Sequence, residues 1–156
     1  MSQQGIRGYY QLTSTIEEQL RDTEFTNTVS IGDISKVNLN KQDIFPLAHM
    51  IVNSVSAEEQ VLRFNISILA CDIVDQSKDI TTDRFTGNDN EQDILNTQLL
   101  VLNKLIQKLR MGSLHTDMYQ LEGNPSLTPF HDRFENQLAG WSATMDILIY
   151  NDIYIC

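Results

Sequence analysis

The side chains able to serve as ligands or catalysts are few in this chain and widely scattered. The histidines are His49, His115 and His131, and they fall on three different segments. None has a second histidine three or four positions away, the spacing that would put two ligands on one helical face, and no cysteine lies beside them. Cys71 sits in a run of strand-forming residues, where a small core side chain is expected, and Cys156 ends the sequence. That placement suggests no disulfide framework and fits a reducing cytoplasm. The run Gly87-Asn88-Asp89-Asn90-Glu91-Gln92-Asp93 is rich in oxygen ligands. It lacks the Asp-x-Asx-x-Asx-Gly order and the closing Glu of a calcium loop, and helix capping explains it better. Glu17-Glu18 and Glu58-Glu59 fall on an exposed helical face and in a polar turn, where carboxylates are solvated rather than tuned for proton transfer. Asn65-Ile66-Ser67 has glycosylation spacing, but it lies within a strand of a chain that shows no secretion signal. There is no glycine-rich phosphate loop and no Gly-x-Ser-x-Gly elbow. The reading is of no enzyme, no metal and no cofactor.

The elements that must position these residues are organised around residues 89–112. Leu95, Leu99, Leu102, Ile106 and Leu109 recur at spacings of four and three, flanked by Ile94, Val101 and Leu105, which predicts an amphipathic helix. Asn90 is placed to cap it, Asp89, Glu91 and Asp93 favour its positive end, and Lys104, Lys108 and Arg110 its negative end. Gly112 can stop it. Such a helix must lie across a sheet, because burying its stripe offsets the cost of ordering it. Tyr9, Leu12, Ile16 and Leu20 predict a weaker helix over 6–22, with Glu17 and Glu18 toward solvent.

Strands are expected at 28–31, 44–55 and 61–74 before the long helix, and at 116–121, 130–138 and 141–149 after it. Pro46 places its strand end at an edge or at the strand's beginning. Phe45, Leu47, Ile51 and Val55 share one parity. Leu62, Phe64, Ile66, Ile68 and Ala70 fill one face of the strongest strand, and beyond them Leu69, Cys71 and Ile73 make the second face apolar too. A strand that ends two-sided is expected to be covered there by a helix or a neighbouring subunit. Residues 34–43 and 75–88 read as polar connections, Gly123-Asn124-Pro125 as a turn, and Ala139-Gly140 as a tight reversal. The order is α-β-β-β-α-β-β-β: an α+β domain, a mostly antiparallel sheet packed by two helices, with short loops that favour antiparallel meanders.

At 156 residues and 41% hydrophobic, one globular domain spanning 1–156 is expected, with a long polar loop and a short apolar C-terminal extension at 151–156. No apolar run approaches the roughly 20 residues of a membrane span. A net charge of −10 and a pI near 4.5 argue against grip on nucleic acid through clustered Lys and Arg.

Several stretches together resemble tail terminator or tail completion proteins of tailed bacteriophages. They are Gly8-Tyr9-Tyr10-Gln11-Leu12, Thr28-Val29-Ser30-Ile31-Gly32-Asp33-Ile34, Asn40-Lys41-Gln42-Asp43-Ile44-Phe45-Pro46-Leu47-Ala48-His49, Leu62 through Asp75, and Leu127 through Trp141. The similarity is a pattern over nearly the whole chain, without one diagnostic motif. It implies a small subunit of the virion, assembled in the host cytoplasm into a closed homo-oligomeric ring, hexamer or dodecamer. The ring would lie at the head-proximal end of the tail or in the neck, where it ends the tail tube and joins it to the connector. Such proteins are not enzymes, and no catalytic residue is carried over. A ring needs heterologous interfaces. The expected contributors are Leu69, Cys71 and Ile73 at the two-sided strand end, with Asp83, Arg84 and Phe85 of the long loop. DNA would pass through a lumen that does not bind phosphate, which suits the acidic charge, and no membrane is involved.

Two other classes compete. One is a small-molecule-binding α+β module with a pocket lined by Tyr119, Phe134 and Trp141. The other is an acidic mimic of nucleic acid, which would need its carboxylates concentrated on one face.

Overall fold

The computed structural model describes residues 8–33, 44–59, 61–74, 91–111, 119–133 and 138–150. The elements are α1 (Gly8–Arg21), β1 (Thr28–Ile31), β2 (Leu47–Ala57), β3 (Val61–Ile73), α2 (Glu91–Met111), β4 (Tyr119–Arg133) and β5 (Leu138–Tyr150). The five strands form one sheet in the order β1-β2-β3-β5-β4. The class is α+β, as expected. The connectivity departs from a simple meander in two places. β1 pairs with β2 in parallel, and every other pairing is antiparallel. β5 returns between β3 and β4, so that β3-α2-β4-β5 is a split unit in which the last strand fills the gap left by the helical crossover.

Both helices pack on one face of the sheet. There Leu12, Ile16 and Leu20 of α1 and Val101, Leu102, Leu105, Ile106 and Leu109 of α2 meet the inward positions of the strands, among them Met50, Phe64, Ile66, Ile68, Met145 and Ile147. Alternation along β3 and β5 puts these residues on the helix side, as the period-two pattern requires. Hydrogen bonds tie the sheet to the helices: Trp141 Nε1 donates to Leu95 O at 2.8 Å, and the Tyr119 hydroxyl lies 3.0 Å from Thr15 Oγ1. Between the two helices, Lys108 Nζ donates to Gln19 Oε1 at 2.5 Å.

The structure corrects several local expectations. The stripe of α1 runs through Gly8, Leu12, Thr13, Ile16 and Leu20, while Tyr9 is 46% exposed. Gly8 takes the place expected for Tyr9 because a side chain there would crowd Leu62. The stripe of α2 is rotated toward Ile94 and Gln98, leaving Leu95 and Leu99 only half-buried. In β2 the register shifts between Val52 and Ser54. That bulge at Asn53 reverses the alternation, so Leu47 and Ile51 face away from the helices whereas Val55, four positions on, faces them.

The three strands expected after α2 are two. Of the first two expected strands, residues 119–121 and 130–133 belong to the single strand β4, while 116–118 and 134–137 lie outside the described residues. Gly123-Asn124-Pro125 is not a turn but the two-residue surplus of a bulge, since three residues stand between Glu122 and Ser126 opposite the single Met145. Gly123, with φ of 69°, supplies the left-handed conformation this needs. Ala139 and Gly140 do not reverse the chain. They pair with Asp72 and Cys71 inside the β3–β5 ladder. Asn90, Gly112 and the connections at 34–43, 75–88 and 151–156 lie outside the described residues.

Candidate functional site

The face of the sheet away from the helices divides into an apolar end and a polar field. At the apolar end, Cys71 is 4% exposed and packs with Phe45, Leu47, Phe130 and Leu138, against which Leu69 and Ile73 lie half-buried. Among the described residues, the second apolar face of β3 is therefore covered by side chains of this chain's own β2, β4 and β5 and by Phe45. Cys71 is sealed within the subunit by this cluster, which Phe130 joins at the edge of a second register shift of β4, between Phe130 and Arg133. Leu69 and Ile73 retain partial exposure. Asp83, Arg84 and Phe85 lie outside the described residues. Burial in this setting pushes the Cys71 thiol up to about 12, with the Asp72 carboxylate adding to the shift.

The polar field crosses three strands. Asn53 Nδ2 donates to Asn65 Oδ1 at 2.9 Å and to Ser67 Oγ at 2.8 Å. Asn65 Nδ2 donates to Asp146 Oδ1 at 2.9 Å, and the Ser67 hydroxyl lies 3.2 Å from Thr144 Oγ1. Beyond them Arg63 bridges Glu58, at 2.9 Å, and Glu122. These groups satisfy one another at a partly exposed surface, and each exposed ion pair contributes about 0–1 kcal/mol. The pair Glu17-Glu18 is as expected a solvated feature, with Glu17 bonded to Arg21 at 2.9 Å one turn away.

Of the histidines, His49 is described in full. It is 1% exposed at the β1–β2 junction. Its Nε2 lies 2.7 Å from Gly32 O, so that nitrogen carries the proton, and Nδ1 accepts from the Ser30 hydroxyl at 2.6 Å. Burial lowers its pKa, against smaller opposing effects from the Gly32 carbonyl and Asp33. A hydroxyl on an imidazole is the contact of a nucleophile and its base. Here the ring is sealed and both nitrogens are committed, and the pair serves to hold a four-residue strand to the sheet. His115 lies outside the described residues, and His131 is described only as backbone of β4. Among the described residues no three His, Cys, Asp or Glu side chains are grouped to hold a metal ion.

Tyr119 and Trp141, the aromatics of the alternative small-molecule pocket, serve instead in packing. Tyr119 is 5% exposed and locks β4 to α1, while Trp141 anchors the first turns of α2. Phe134 lies outside the described residues. A different concavity, of about 270 Å³, opens between the α1–β1 connection and the first turns of α2. Glu24 and Phe25 form one wall, Pro46 and Asp72 the floor at the sheet end, and Asp93, Ile94, Thr97 and Gln98 the other wall. Asp72 is half-buried, and desolvation raises its pKa, partly offset by the amide of Ile73, which donates to Oδ1 at 2.8 Å. Gln98 is 2% exposed. Sequence reading missed this site. Its one signal is a glutamine on the core line of α2, four residues from both Ile94 and Leu102.

No helix among the described residues is long and apolar enough to cross a membrane. Comparison with known proteins adds no relative: no protein-family model matches this chain, and no curated protein matches it.

Proposed function

We propose that this chain is a structural subunit of a tailed-phage particle, forming a homo-oligomeric ring at the head-proximal end of the tail or in the neck. The observation that carries the reading is the resemblance along the five stretches quoted above. The fold is compatible with it in three respects. Among the described residues both helices pack on one side of the sheet, so the other side offers strand surface for contact with other chains. The polar side chains on that face are bonded to one another, as suits a surface that must stay soluble before assembly. The end of the helix layer at Gly8, which abuts Leu62, also carries exposed apolar side chains: Tyr9 at 46%, Tyr10 at 73%, and Val55 of β2 at 48%.

In this reading Leu69 and Ile73 contribute to a subunit contact by their remaining exposed surface, and Cys71 supports them from beneath. The net charge of −10 keeps a DNA-conducting lumen from binding phosphate. Mass photometry of the purified protein, alone and mixed with tail-tube or connector proteins, tests it. A discrete hexamer or dodecamer, or a complex formed only in the mixture, is the expected result. A protein that stays monomeric in both settings, and is missing from purified particles, refutes it.

A further inference from the structure

We propose that the cleft between the α1–β1 connection and the first turns of α2 is a binding site for one organic cation, a guanidinium or primary ammonium group on an alkyl stem. Three carboxylates, those of Glu24, Asp72 and Asp93, line it, and no basic side chain among the described residues does. The independent observation is Gln98. It is 98% removed from solvent, it lines the same cleft, and its amide makes no hydrogen bond among the described residues. The other buried polar side chains, Thr13 and His49, are both bonded. Among the described residues the one fully sealed polar side-chain atom without a partner is Thr26 Oγ1. The Gln98 amide is therefore not fully sealed, and the space it borders is the cleft. An amide held in this way lacks the hydrogen bonds its burial calls for, and a ligand bearing N–H donors supplies one.

The class of ligand follows from the arrangement. The carboxylates are not grouped closely enough for a metal ion, whereas a guanidinium presents up to five donors in a fork and reaches acceptors that one small ion cannot. Phe25, a residue 38% exposed, with Pro46 and Ile94, gives apolar walls for a stem and an aromatic face for the charge. Half-buried Asp72 resists ionisation when alone, and a cation beside it restores the charged form. Binding is thus coupled to proton release and strengthens as pH rises through the titration of Asp72. The cation has two sources with the same chemistry, a free small amine or a basic side chain of a neighbouring copy. The site does not depend on the ring assignment.

Agmatine at constant ionic strength is the probe, followed by backbone amide shifts. The expected result is saturable shifts confined to Phe25, Asp72, Asp93, Thr97 and Gln98, with affinity rising with pH. Asp72→Asn and Gln98→Leu each weaken binding about tenfold, the scale of one charge-assisted hydrogen bond. Gln98→Leu keeps the volume of a core position, so a folded variant is available for the measurement. Saturation with no change in oligomeric state assigns a free amine. Dissociation of an oligomer by agmatine, reproduced by Asp72→Asn, assigns a side chain of the next copy. Shifts matched by sodium chloride, shifts that fail to saturate, or binding unchanged in Asp72→Asn overturn the proposal.

Discussion

Gly140 offers a sharp test of how the sheet is built, because the local sequence and the fold make opposite demands on it. Ala139-Gly140 reads as a reversal, where a glycine supplies a left-handed backbone and asparagine is the best replacement. In the structure Gly140 is a strand residue paired with Cys71 on β3 and Phe130 on β4. A Cβ placed there meets the Ala70 carbonyl oxygen at less than contact distance, and Cys71 Cα at 2.7 Å. Overpacking costs about 1–3 kcal/mol where side chains can yield. Here the obstructing atoms are backbone in a paired strand, so the β3–β5 ladder itself must open. Gly140→Ala is therefore expected to cost at least about 3 kcal/mol, a large part of the roughly 5–15 kcal/mol that holds a domain together. Gly140→Asn is expected to cost no less.

Gly123 is the internal control. It has φ of 69°, and a Cβ added to it would meet nothing within 4 Å, so Gly123→Ala bears only the backbone strain, about 1–2 kcal/mol, and Gly123→Asn less. Urea unfolding followed by the fluorescence of Trp141, the single tryptophan, resolves the two. With m of about 1–3 kcal/mol/M, the Gly140→Ala midpoint falls by about 1 M or more. A Gly140→Ala midpoint shift smaller than that of Gly123→Ala, or recovery of stability in Gly140→Asn, refutes the strand assignment and the close approach of β3 and β5.

Three further outcomes are expected. Leu102→Asp leaves the chain unfolded by circular dichroism, because it puts an unpaired charge at a fully buried position beneath the sheet; a folded variant would mean that α2 does not cover the sheet. His49 has its pKa lowered in the folded state, so its contribution to stability is fully present above the unfolded value of about 6.5 and is lost as pH falls through the folded value. Denaturation midpoints taken from pH 7 down to pH 5 should fall more steeply in the wild type than in His49→Gln, and equal slopes would count against the buried latch. In a Cys156→Ser background, Cys71 should resist iodoacetamide until urea unfolds the protein, since its thiol is both sealed and pushed up to about 12; native-state labelling at the rate of a free thiol would show that the apolar end of the sheet is open.

Much of the architecture is legible in the residues themselves. The four-and-three spacing from Leu95 to Leu109 requires a helix with one covered side, and the alternation through Phe64, Ile66 and Ile68 and through Ala143, Met145 and Ile147 requires strands with one covered face. Hydrophobic period reports whether a side chain is covered, and those strand positions are covered. It does not report by what. The two-sided end of β3 therefore pointed as well to a helix or a second subunit as to Phe45, Phe130 and Leu138, which in fact cover it. Turn chemistry is equally local. Gly123-Asn124-Pro125 has the same composition whether the chain reverses or a partner strand passes on and forces a bulge.

The insertion of β5 between β3 and β4, the parallel seat of β1, the shift of register at Asn53 and the placing of Asp72 and Gln98 on one cleft all depend on contacts between residues far apart in the chain. Such contacts are set by the pairing of whole strands and the docking of whole helices, and only the tertiary structure decides them. The amphipathic elements, by contrast, are dictated within a few residues by the geometry of one turn or one pleat, which is why sequence alone determined them.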